Sequence, residues 1–188
     1  LRLSDWLRRV STGWVTGTVL VAFLLFMALV LPAQSVESPG AEGVGSPDTS
    51  LFYTPGELYA MAEAYGEAGR DAYIRARFTF DLIFPVVYTV FLVTSISWLT
   101  RRGFASESPW RLINVVPLLG ALLDYLENVS TSVVMARYPT PTPVVVVLAP
   151  VFTMIKWIFV GGSFVLLAIA LAAALWRRRR SLFSQQLP

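Results

Sequence analysis

The chain has 188 residues, 55% of them hydrophobic and only 14% charged, and its mean hydropathy of +0.62 excludes an ordinary soluble domain. It contains no cysteine and no histidine, which excludes disulfides, thiol nucleophiles, His-ligated haem, the common zinc sites and a His general base; no cofactor is expected. The net charge of +3 does not point to nucleic acid, because the arginines border apolar runs and no nucleic-acid-binding motif accompanies them. The fold class predicted is an all-α integral membrane protein with the lipid bilayer as its main partner: a four-helix transmembrane bundle with a helical extracytoplasmic cap between spans 1 and 2.

Residues 1–12 form a short basic amphipathic lead-in, with Trp6 and Trp14 where interfacial aromatics belong. Span 1 covers 13–32, carries no charge and is closed by Pro32. It is long enough to cross and lacks a small-residue cleavage pattern, so it reads as a span and not as a cleavable signal. Its Gly13-xxx-Gly17 pair offers a place for close helix contact.

Within the extracytoplasmic segment 33–77, residues 33–50 have the Gly, Pro, Ser and acidic composition of a linker. Thr54-Pro55-Gly56-Glu57 then matches a capping box with Pro at the first helical position. Leu58, Met61, Ala62 and Tyr65 follow on one apolar face, and Gly66 ends the helix before a second one runs to Arg77. The tyrosines Tyr53, Tyr59, Tyr65 and Tyr73 are expected near headgroups.

Span 2 covers 78–100, and Asp81, Pro85 and Tyr88 share one of its faces. A basic turn over 101–111 leads to span 3 at 112–136. A Pro-rich turn over 137–149 precedes span 4 at 150–176, with Pro150 expected at its start, and a basic tail fills 177–188. Arg2, Arg8, Arg9, Arg101, Arg102, Arg111 and the run 177–180 fall on one side, against Arg70, Arg75, Arg77 and Arg137 on the other. The excess of basic residues marks the cytoplasmic side, so both termini are expected there and the cap outside, in a multi-pass cell-membrane protein.

The stretch that demands an explanation lies in span 3. Successive helical residues turn by about 100°, so Asp124, Glu127, Asn128 and Thr131 share one face, continued by Pro117 and Gly120. Ionisable groups at membrane depth are costly and face a bundle interior or a wet cavity. At about 1.5 Å per residue, Asp81, Asp124, Glu127 and Lys156 all fall in the outer half or at the centre of the bilayer. Lys156 is expected to pair with Glu127 or Asp124. The candidate polar cluster is therefore Asp81, Tyr88, Asp124, Glu127, Asn128 and Lys156, with Arg75, Arg77 and Arg137 as its rim.

Three acids facing one intramembrane cation leave an imbalance, which rim arginines or a protonated carboxyl must meet. Any acid–base chemistry falls to Asp124 or Glu127. Gly120-Ala-Leu-Leu-Asp124 is not the Gly-x-Gly-Asp signature of intramembrane aspartyl proteases, and no serine stands at a spacing that singles out a Ser–Lys dyad. The expected role is a structural or accessory subunit of a larger membrane complex, with protein partners, or a binder of a lipophilic ligand. An intramembrane enzyme acting on a lipid-like substrate, or a proton-coupled carrier, is the alternative.

Overall fold

The computed structural model describes residues 2–30, 32, 45–105 and 107–184, and most of the predicted 33–50 linker lies outside them. Among the described residues every regular element is helical and none is a strand. In chain order the helices are α1 (Arg2–Val10), α2 (Gly13–Leu25), α3 (Pro55–Ala64), α4 (Gly66–Arg77), α5 (Phe80–Gly103), α6 (Val116–Arg137) and α7 (Val145–Ser184). A π-helical turn over Phe26–Val30 prolongs α2, and 3-10 turns at Pro47–Thr49 and Pro109–Val115 precede α3 and α6. Four helical stretches are long and apolar enough to cross a membrane: α2 with its π turn, α3–α5, the Pro109 turn with α6, and α7. They are compatible with a multi-pass membrane protein.

The packing centres on α5, the most enclosed of the four. Tyr88, Phe91, Leu92 and Ile96 form its core cluster, against which Val19 and Phe23 of α2 and Val160, Leu166 and Leu167 of α7 pack. Phe23 stacks flat on Phe91 at 4.3 Å between ring centroids. Pro85 lies inside α5 and supplies no N–H to the turn before it. Near this proline the Tyr125 hydroxyl of α6 donates to the Leu82 carbonyl at 2.8 Å and ties the two helices together. Outward faces are apolar: Leu20, Val21 and Leu24 on α2 and Ile158, Val165 and Leu175 on α7 are all exposed.

At one end of the bundle, α3 and α4 lie across α6 and α7. Thr54 accepts the Glu57 N–H at 3.2 Å while the Glu57 carboxylate accepts the Thr54 N–H, so both orphan donors of this helix start are met. Gly66 takes a φ of 62°, the left-handed turn between the two helices that a side chain would resist. Leu58, Met61, Ala62 and Tyr65 bury together with Val134, Met135, Val146 and Ala149. Tyr53, Tyr65 and Tyr73 are buried in this contact, where each hydroxyl finds a partner.

Two helix boundaries differ from expectation. Helix α7 starts at Val145, so Pro150 sits inside it and does not open it. Burial of Val146 and Ala149 against α3 holds this first turn, and a proline so near a helix start interrupts few bonds. The same helix continues through the basic run to Ser184, 40 residues or about 60 Å, twice a hydrocarbon core. Of the two span-1 glycines, Gly13 abuts the Trp98 indole, whereas nothing lies close to Gly17. Tight helix contacts lie elsewhere: a β-carbon at Gly103 would stand 2.9 Å from the Ala174 backbone nitrogen and one at Gly120 3.0 Å from Val160 Cγ2, so these glycines let α5 and α6 close on α7.

At the opposite end, α1 folds back against α5 and the Pro109 turn. Its Ser4 hydroxyl lies 2.7 Å from Asn114 Oδ1 and 3.0 Å from the Arg111 carbonyl. Asn114 donates from Nδ2 to the Ser4 carbonyl (3.2 Å) and to Ser97 Oγ (2.9 Å).

Candidate functional site

Two layers of charge meet below α3 and α4. The first is built where α4 hands over to α5. Arg77 ends α4, Asp81 lies one turn further on in the first turn of α5, and the 3-10 turn presents Asp48 to both. Arg77 contacts Asp48 and reaches Asp81 Oδ2 at 2.8 Å, with its guanidinium 4.6 Å over the Tyr73 ring. The Tyr73 hydroxyl donates to Asp48 Oδ1 (3.1 Å) and Ser46 Oγ to Asp48 Oδ2 (2.8 Å).

The second layer joins α5, α6 and α7. Helical spacing puts Asp124 and Glu127 on one face of α6 and Thr153 and Lys156 on one face of α7, and the close approach at Gly120 brings these faces together. Lys156 contacts Glu127 and lies 3.8 Å from Asp124 Oδ1. Tyr88 donates to Asp124 Oδ2 at 2.9 Å. Thr153 donates to Glu127 Oε1 at 2.6 Å and lies 3.0 Å from the Tyr53 hydroxyl. A threonine has one proton, so with Glu127 ionised that proton goes to the carboxylate and Tyr53 donates to Thr153. Glu127 is fully buried and Lys156 only 6% exposed. Pairing is the condition for keeping charges there.

A cavity of about 230 Å³ lies between the layers. Asp48, Arg77, Asp81, Asp124 and Lys156 form its polar wall. Phe23, Phe84, Tyr88, Trp157 and Phe164 form the aromatic one, with the α2 contribution closing the side. The Trp157 indole N–H is spent on the Ser50 carbonyl (3.0 Å), which fixes the ring as part of the wall. Among the described residues no group of three carboxylates converges as a metal site would require.

The structure thus brings Asp81, Tyr88, Asp124, Glu127 and Lys156 together, with Arg77 from the expected rim. It leaves Arg75 and Arg137 exposed, and among the described residues neither forms an ion pair with the cluster. Only a residue at the α4–α5 junction can turn inward, and Arg75 lies on the outer side of α4. Asn128 is buried on the expected face, yet no hydrogen bond among the described residues joins its side chain to the charges, and its Nδ2 has no partner.

Sequence reading missed Asp48, hidden in linker composition, and the Tyr53–Thr153 relay. An acid directly after Ser46-Pro47, a turn signal, was the available one for the first, and the i, i+3 spacing of Thr153 and Lys156 for the second. No protein-family model, curated protein or solved structure matches the chain.

Proposed function

We propose that this chain is a multi-pass membrane protein with both termini in the cytoplasm. In this reading α3 and α4 form an extracytoplasmic cap, and the outer half of the bundle binds a small lipophilic ligand. The observation that carries it is the cavity itself, with one wall aromatic and the other charged. A purely structural network in an accessory subunit has no need of such space beside its charges. Acid–base catalysis on a lipid-like substrate, the competing reading, would rest on Asp124, since Glu127 does not line the cavity.

The test is native mass spectrometry of protein purified from its own membrane, compared with Met27→Trp, which fills the cavity from the α2 side. The parent is expected to carry one small apolar molecule per chain and the variant none, at equal thermal stability. A parent that carries nothing but stable protein partners returns the role to that of an accessory subunit. Chemical conversion of the bound molecule, lost in Asp124→Asn, supports the enzyme.

A further inference from the structure

The charges of the two layers do not balance. Arg77 serves both Asp48 and Asp81, and Lys156 serves both Asp124 and Glu127. With every group ionised, four carboxylates stand against two cations. A buried excess of negative charge is costly in a low-dielectric interior and must be met by protons or by a further cation.

The deficit has a location. Asp48 is saturated by Ser46, Tyr73 and Arg77. Glu127 accepts from Thr153 and pairs with Lys156, and although its Oε2 has no hydrogen-bond donor among the described residues, the residue does not line the cavity. Asp81 and Asp124 are not saturated. Arg77 approaches Asp81 Oδ2 as an ion pair, yet off line, so that oxygen has no hydrogen-bond donor although the residue is only 9% exposed. Asp124 accepts one hydrogen bond, from Tyr88, and its Oδ1 lies 3.8 Å from Lys156, beyond hydrogen-bonding reach. Both aspartates line the cavity, and so do the rings of Phe84 and Tyr88, whose faces attract cations, and of Trp157, over which Lys156 Nζ already lies at 5.1 Å.

From this we infer that the polar end of the ligand is an organic cation, a protonated amine or an ammonium group, seated between Asp81 and Asp124 with its apolar body on the aromatic wall. This rests on the lipophile-binding reading above. An anionic headgroup would deepen the excess of negative charge. Among the described residues a bare metal ion would find no converging set of oxygens. A protonated amine supplies one or more charge-assisted hydrogen bonds where the two acceptors lack them.

The experiment uses the full chain in lipid nanodiscs and compares three probes with the same ten-carbon tail: decylamine, decanol and decanoate. Binding is read by isothermal titration, with Met27→Trp as the control for partition into the lipid. Decylamine is expected to bind at least about tenfold more tightly than decanol, the usual size of a charge-assisted hydrogen bond, and decanoate more weakly than either. Asp124→Asn should lower decylamine affinity at least about tenfold and leave decanol unchanged. Asp81→Asn carries the same expectation and stands in should the first variant not fold.

Equal binding of amine and alcohol, both abolished by Met27→Trp, overturns the cation and leaves the pocket standing. So does amine binding that neither aspartate variant changes, or a preference for decanoate. Failure of all three probes to bind in excess of the Met27→Trp control removes the pocket, and the inference with it.

Discussion

Two buried polar clusters lie at opposite ends of the same bundle, and they are built on different terms. The Ser4–Ser97–Asn114 cluster is neutral; both Asn114 Nδ2 hydrogens and its carbonyl oxygen have partners, and no charge is left over. It binds α1 to the bundle and needs nothing more. The cluster below α3 and α4 gathers six charged groups, leaves Asp81 and Asp124 short of donors beside a cavity, and leaves Glu127 Oε2 with an ion pair but no hydrogen bond among the described residues. A closed hydrogen-bond set costs little to bury and specifies one packing, whereas an open, charged one is costly until something completes it. On the proposed reading, the difference separates a fastening from a site.

The largest effect that tests this contrast is all-or-none. Single cysteines at Glu63 and Thr140, both exposed at the charged end, should react with an impermeant thiol reagent added to intact cells, and one at Glu107, at the neutral end, should not. Labelling at Glu107 from outside would invert the arrangement and put the site on the cytoplasmic side.

Next in size comes the ion pair. Glu127→Gln leaves the Lys156 ammonium with Asp124 alone and is expected to cost about 3–5 kcal/mol of stability in detergent. Lys156→Met should be milder, because a stranded carboxyl escapes by taking a proton. The double variant should recover part of the loss, with stronger coupling than Lys156 shows to Asp124 at its longer separation. Strict additivity in both thermal-denaturation cycles would mean that the charges do not act as a unit, and the contrast between the clusters would lose its basis.

At the neutral end, Asn114→Ala strands Ser4 and Ser97 and should cost about 1–3 kcal/mol. Decylamine affinity in nanodiscs should stay at the parent value. A change in affinity would show that the fastening and the site are one system.

The smallest effect concerns neither cluster and calibrates both. Thr54→Ala should cost about 1 kcal/mol and speed hydrogen exchange over 55–64 while leaving residues 116–137 unchanged. Glu57 gives this cap a pH dependence: hydrogen bonds from the Thr54 backbone and hydroxyl hold its carboxyl below the ordinary value. The contribution is therefore present above the unfolded glutamate pKa, about 4.3, and is lost as pH falls through the lower folded value. Exchange over 55–64 should rise in that acid window in the parent and show no such rise in Glu57→Gln.

What the sequence determined by itself is what short-range rules govern. Four apolar runs, the Thr54–Glu57 cap, the left-handed glycine after Tyr65 and the shared face of Asp124 and Glu127 all follow from helical periodicity and local hydrogen bonding, with no knowledge of neighbours. Lys156 could be set opposite those acids because rise per residue converts sequence position into depth. Tertiary structure decided the rest. Asp48 reads as linker until Arg77 and Tyr73 close on it. Arg77 and Arg75 look alike until the α4–α5 junction turns one of them inward. Pro150 looks like a helix start until α3 buries the turn before it. Ser4, Ser97 and Asn114 lie far apart in the chain, and nothing in their local sequence marks them as partners. In each case the deciding energy is a contact between segments distant in sequence, and the cavity exists only because those contacts leave a gap that no single helix encodes.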